Sequence, residues 1–156
     1  MKPKWIWFGI SSIFTLVGLV LIYFGLRDIL RAQASTRWLP APGVIVSSDL
    51  NVETDSDGNT YYSADIHYSY PLDDRQFRGD RVFFGQVSTT KRMQVFDLLL
   101  KYPRDSVVTV FYNPVDPTQA LLEPGIHGAN WFLPLLGAVF SLVGLAFIVI
   151  GFFVHF

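Results

Sequence analysis

Residues Thr15–Gly25 read TLVGLVLIYFG, and Ser141–Gly151 read SLVGLAFIVIG. Each stretch sits inside a longer apolar run. No charged residue falls between Trp5 and Leu26, and between Pro124 and Phe156 only His127 and His155 can carry charge. A bilayer core about 30 Å thick is crossed by roughly 20 apolar residues rising about 1.5 Å each. Ile6–Leu26 and Trp131–Phe153 meet that length and are expected to be transmembrane helices. Lys2 and Lys4 precede the first run, as in a signal peptide, and Ala32-Gln33-Ala34 is the one weak cleavage motif. The run exceeds the roughly 7–15 apolar residues of such a peptide, so retention as an anchor is expected.

The echo between the stretches lies in their small residues. Ser11, Thr15, Gly18 and Gly25 recur at the same intervals as Gly137, Ser141, Gly144 and Gly151. Those steps of three, four and seven keep side chains on one helical face. Between helices in lipid there is no hydrophobic drive, and small residues let the backbones touch. An antiparallel hairpin is therefore expected, with Gly25 near Gly137, Gly18 near Gly144 and Ser11 near Gly151. The same stripe, with Ser141 in it, would equally serve a homo-oligomer. Neither span carries an ionisable residue at its middle, which argues against a transport pathway within the hairpin.

Nearly all the charge lies between the two runs. From Ser35 to Glu123 there are eight Lys and Arg against twelve Asp and Glu, a net charge of −4. An acidic segment repels phosphate backbones, so nucleic acid is not an expected partner. Cysteine is absent, which excludes disulfides and thiolate metal sites.

The expected organisation is a flank (1–5), a first span (6–26), a helical connector (27–37) with Trp38 at its end as an interfacial anchor, a β-domain (38–125), a second span (131–153) and a closing flank (154–156). In the β-domain, LPAPG breaks the helix and VIVSSDLNV forms a first strand. ETDSDGNT is a turn. YYSADIHYSY then alternates, with Tyr62, Ala64, Ile66, Tyr68 and Tyr70 on one face, as a half-buried strand does. FRGDRVFFG is expected as a third strand. STTKRMQVFDLLLKYP switches to helical spacing, with Met93, Phe96, Leu99 and Leu100 sharing a face and Ser88 or Thr89 capping it. SVVTVFYNP gives a fourth strand, and PTQALLEPG a short fifth. The fold class is thus membrane α+β: a two-helix transmembrane hairpin carrying a small antiparallel domain of about five strands and one helix, arranged as a small sandwich or a partly open barrel with the helix over one opening.

Trp38, PGVIVSS, YYSADIHYSY, the Tyr-Pro before VVTVFYNPVDP, and ALLEPG together resemble domain of unknown function family 3592, over roughly Trp38 to Gly125. The Tyr-Asn-Pro run and LEPG are the most specific part. The resemblance implies a small, mostly bacterial membrane protein with one β-domain between transmembrane helices, and it brings no catalytic residues. Two departures stand out: the glycine usual after Tyr-Pro is replaced near Arg104-Asp105, and the Arg75–Arg81 turn is arginine-rich.

The candidate chemical motifs read as structure. DSDGN has its glycine fourth in the loop, where an EF-hand needs it sixth between two helices, so a hairpin turn is expected. Ser88-x-x-Lys91 matches a nucleophile–lysine spacing, but its companion motifs are missing. His67, His127 and His155 are too far apart in sequence for one metal site, and no partner carboxylate is visible for any of them. Asp73-Asp74 reads as a solvated turn. No cofactor, metal or catalytic residue is expected.

The expected function is non-catalytic. A membrane-held acidic β-domain would bind a protein or envelope partner through an open sheet edge or an aromatic face made of Tyr61, Tyr62, Tyr68 and Tyr70. An immunity or accessory protein is one specific form. The alternatives are a membrane-bound hydrolase using Ser88 and Lys91, and a lipid or transport accessory subunit. Lys2 and Lys4 before the first span stand against Arg27, Arg31 and Arg37 after it. On the amino-terminal lysines, the termini are expected in the cytoplasm and the β-domain outside it, in a bacterial inner membrane.

Overall fold

The protein is described from a computed structural model, which covers residues 4–155 of the backbone and the side chains from residue 11 to residue 152. The elements run α1 (Lys4–Ser35), β1 (Leu39–Thr54), β2 (Thr60–Leu72), β3 (Arg75–Gly79), α2 (Arg92–Lys101), β4 (Val107–Tyr112), β5 (Ala120–Leu121), a 3-10 turn (Gly128–Trp131) and α3 (Phe132–His155). They divide into two units, one made of the chain up to Leu30 and from Gly128 onward, the other of Arg31–His127.

In the first unit, α1 and α3 run antiparallel along the small-residue stripe. A methyl group on Gly18 would stand 2.6 Å from the Gly137 carbonyl oxygen and from the Ser141 amide nitrogen. One on Gly144 would meet the Thr15 amide nitrogen at 2.7 Å and the Ser11 carbonyl oxygen at 2.9 Å. Phe14 and Phe140 stack beside the seam, their ring centroids 5.8 Å apart. The register differs from the expected one by about a turn. Gly25 faces the Pro134 ring instead of Gly137, Gly18 faces Gly137 and Ser141 instead of Gly144, and Ser11 faces Gly144 instead of Gly151. The proline explains the shift, because its ring is bulky and only a residue without a side chain lets it lie against α1. A methyl group on Gly151 would meet nothing within 4 Å among the described residues.

The second unit is a single five-stranded antiparallel sheet in the order β3-β2-β1-β4-β5. A two-sheet sandwich is therefore ruled out. The strands are also unequal: β1 has 16 residues and β2 has 13, while β5 has two. The sheet is strongly rolled. The Tyr70 hydroxyl on β2 donates to the Pro117 carbonyl oxygen at 2.5 Å, and Pro117 lies beyond β4. With about 4.8 Å between strands, a flat sheet would hold that carbonyl more than two strand spacings away. The roll brings the segments after β3 and β5 together, where the amides of Leu122 and Glu123 both donate to the Val82 carbonyl oxygen.

Ile45, Ile66, Tyr68, Tyr70 and Val110 are wholly buried inside this roll. LPAPG stops α1 yet belongs to β1, so the first strand starts earlier than its sequence suggests. Pro40 and Pro42 pair with β4, at Phe111 and Thr109. The Ile45 amide donates toward β4, at Ser106. By alternation the proline nitrogens face the other side, where β2 pairing has not begun, and no ladder bond is lost. The expected third strand ends early, at Gly79. Val82 and Phe84 are buried in an irregular segment, so their alternation records burial rather than strand.

The helix α2 is rotated from its expected face. Val95, Leu98 and Leu99 turn toward the core with Tyr102, an i, i+3, i+4, i+7 set, while Met93 and Leu100 are 70% and 76% exposed. Phe96 lies beneath the Arg92 guanidinium, 4.9 Å from its ring centroid. Lys91, not Ser88 or Thr89, is the N-cap, and no side chain caps it.

Candidate functional site

The side chains converge most densely around Glu123. The Lys101 ammonium donates to its Oε1 at 2.7 Å, and the Tyr102 hydroxyl donates to the same oxygen at 2.8 Å. His127 Nε2 lies 3.2 Å from Oε2. Phe83 stacks on the His127 ring, centroid to centroid 4.6 Å. The histidine's Nδ1 lies 3.2 Å from the Gly125 carbonyl oxygen.

Local structure explains each position. Lys101 closes α2, and Tyr102 is its C-cap, its amide donating to the Leu98 carbonyl oxygen. Glu123 leaves β5 just after the Val82 bridge. Gly125 holds φ +104, a conformation that glycine adopts freely, and this bend brings His127 back onto the carboxylate. Burial pushes the Glu123 carboxyl up. The hydrogen bonds from Lys101 and Tyr102, with the charges of Lys101 and His127, outweigh it and hold the group below its ordinary value. Tyr102 moves the opposite way, pushed up first by burial and then by its bond to the carboxylate. A carboxylate so supplied with donors is a poor proton acceptor. What it does is tie the end of α2 to the exit of the sheet.

This cluster was not visible in the sequence. The expectation that no histidine has a partner carboxylate is corrected twice: His127 meets Glu123, and His67 meets Asp65 at 3.0 Å on the exposed face of β2. The spacing of Glu123 and His127, and the presence of LEPG, were the available signals.

The other candidate residues divide cleanly. Tyr68 and Tyr70 are core residues with no exposed surface. The Tyr68 hydroxyl donates to the Arg81 carbonyl oxygen at 3.0 Å and that of Tyr70 to Pro117, so neither can greet a partner. Tyr61 and Tyr62 are half-buried, and the Tyr62 backbone exchanges hydrogen bonds with Thr89 at 2.7 and 2.9 Å. Trp38 packs edge-on against Phe84. Ser88 and Lys91 both precede α2, so the helical geometry that would set a lysine beside a serine is missing. In DSDGN the Asp55 carboxylate accepts from the Asp57 and Asn59 amides at 3.0 and 2.8 Å, and Gly58 sits at φ +84. It is a hairpin turn. Asp73 and Asp74 line an open groove of about 650 Å³ with Arg75, Phe77 and Tyr112. Among the described residues no group of three His, Asp or Glu could hold a metal ion.

The rolled sheet, its proline-bounded β4 and the Glu123 cluster span one continuous stretch. The model of a domain of unknown function, DUF3592, matches residues 41–127. The chain belongs to the DUF3592 family. The matched region begins inside β1 and ends on His127, so all four members of the Glu123 cluster fall within the DUF3592 domain, while α3 falls outside it. No curated protein matches the chain.

Proposed function

We propose that this protein is a non-catalytic integral membrane protein in which the α1–α3 pair anchors the DUF3592 domain, and that the domain binds a protein or envelope partner. One observation carries the anchoring: both long helices expose apolar side chains where a soluble protein would bury them. Ile13, Leu16, Leu135 and Leu142 are each 62–66% exposed. The segments Ser11–Ser35 and Gly128–Phe152 are each long and apolar enough to cross a membrane. At about 25 cal/mol per Å² of apolar surface, such helices are strongly driven out of water. The β-domain meanwhile has its own core and an acidic surface, as suits a module held at a lipid surface for recognition.

Lys2 and Lys4 favour cytoplasmic termini, with the domain on the far side of a bacterial inner membrane. Proteolysis of sealed, right-side-out cells tests the orientation. Cleavage in the exposed Asp57–Asn59 turn without lysis is expected. Protection there, with cleavage only after lysis, would reverse it. Purified protein that stays monodisperse without detergent would remove the anchoring itself.

A further inference from the structure

The far half of β1 runs on past the end of its pairing with β4. β4 pairs with β1 only from Leu39 to Val44, and the Asp105–Ser106 turn ends that contact at Ile45. β2 pairs with the other side as far as Thr54. From Ser47 to Thr54, β1 therefore has a strand on one side alone among the described residues. The Asp55 amide donates across the hairpin to the Asn59 carbonyl oxygen. Alternation along an antiparallel pair then turns the amides and carbonyls of Ser48, Leu50, Val52 and Thr54 outward, with no strand to receive them. A row of unpaired backbone groups is a template for one more strand.

The side chains along this edge select the occupant. On the solvent face stand Asp49, Asn51 and Glu53, and Asp49 lies directly opposite Asp65 of β2. Like charges facing across a ladder destabilise it, and while Asp65 has His67 beside it at 3.0 Å, a cation laid along Asp49 would relieve the pair further. Between Trp38 and Asp74 there is no Lys or Arg, while seven Asp and Glu occur there. On the other face, Val52 is 50% exposed beside Leu50. A strand laid along β1 would alternate its residues between these two faces. A second copy of this edge would set Asp49 and Glu53 against themselves.

Resting on the partner-binding reading above, we infer that the free edge of β1 from Ser47 to Thr54 accepts, by strand addition, an extended segment of a partner protein that alternates Lys or Arg with apolar residues. The basic side chains lie along Asp49 and Glu53, and the apolar ones along Leu50 and Val52.

The test uses the full chain in detergent micelles and a fluorescein-labelled peptide of alternating lysine and valine, read by anisotropy. Three controls accompany it: an alternating glutamate and valine peptide, the lysine peptide N-methylated at every second amide, and a peptide copying β1. Val52→Pro removes one outward amide and leaves the β2 ladder whole, and an unchanged near-ultraviolet spectrum confirms its fold. The lysine peptide is expected to bind, with affinity falling at least about tenfold for Val52→Pro, for the N-methylated peptide and for the Asp49→Asn/Glu53→Gln variant. Equal binding of the N-methylated peptide, no binding of the lysine peptide, or preferred binding of the β1 copy would each overturn the inference. A photocrosslinking residue in place of Asn51 or of exposed Val87, used in native membranes, separates the two readings. A partner trapped from position 87 alone would refute the edge and keep the partner, and trapping from neither would refute both.

Discussion

Removing the Glu123 carboxylate should loosen the β-domain by a predictable amount. The Tyr102 hydroxyl loses a charged acceptor, which costs about 1.5–3 kcal/mol. Lys101 is 59% exposed, and a solvent-screened pair of that kind adds only about 0.2–1 kcal/mol. Glu123→Ala should therefore cost about 2–4 kcal/mol, while Glu123→Gln, whose amide oxygen still accepts from Tyr102, should cost about 1 kcal/mol. Urea unfolding in detergent, followed by the near-ultraviolet signal of the buried tyrosines, reports on this unit selectively. The pH dependence has a definite sign. A carboxyl held below its ordinary value in the folded state contributes stability that is present above the normal carboxylate range, near pH 4, and lost as pH falls through the folded value. Glu123→Gln should flatten that acid limb. In a double-mutant cycle, Tyr102→Phe should cost almost nothing once Glu123 is Ala. If Glu123→Ala unfolds within about 0.5 kcal/mol of the parent, or Tyr102→Phe costs as much in both backgrounds, the carboxylate is not the tie described.

Three further outcomes are expected. Gly18→Leu should force α1 and α3 apart and lower thermal stability in detergent by about 1–3 kcal/mol, while Gly151→Leu leaves it unchanged; equal effects would refute the seam. In an alkaline titration read by phenolate absorbance, Tyr68 and Tyr102 should ionise only with unfolding, since burial first of all pushes both up. The stability they contribute is present below the ordinary phenol value near pH 10 and is lost above it, so Tyr68→Phe should make the basic limb shallower. Gly58→Ala should cost about 1–2 kcal/mol in the same urea assay, because φ +84 is a left-handed conformation.

Patterns confined to one element were the ones legible in sequence. The alternation from Tyr62 to Tyr70 placed Ile66, Tyr68 and Tyr70 inward, where they lie. The small-residue stripe found the faces of both long helices, because backbone approach depends on residue size alone. Its register was not legible, since the Pro134 ring against Gly25 belongs to both helices at once. The rotation of α2 escaped for the same reason: Met93 and Leu100 fit the helical period as well as Val95 and Leu98, and the Tyr102–Glu123 bond that chooses between them joins residues 21 apart. Two of the four tyrosines proposed for recognition, Tyr68 and Tyr70, belong to the core, because alternation identifies a buried face without saying what covers it.

Ser35 closes α1 with its hydroxyl donated to the Ala32 carbonyl oxygen, and the same oxygen accepts the amide of Gly125, ninety residues further along. The doorway into the β-domain and the doorway out of it thus share one hinge post. A module whose two ends meet is a cassette: it can be lifted out at Ser35 and Gly125 and set between other pairs of helices without rerouting a strand. By the same logic, joining Ser35 directly to Gly125 would leave the bare helical hairpin closed by a short loop.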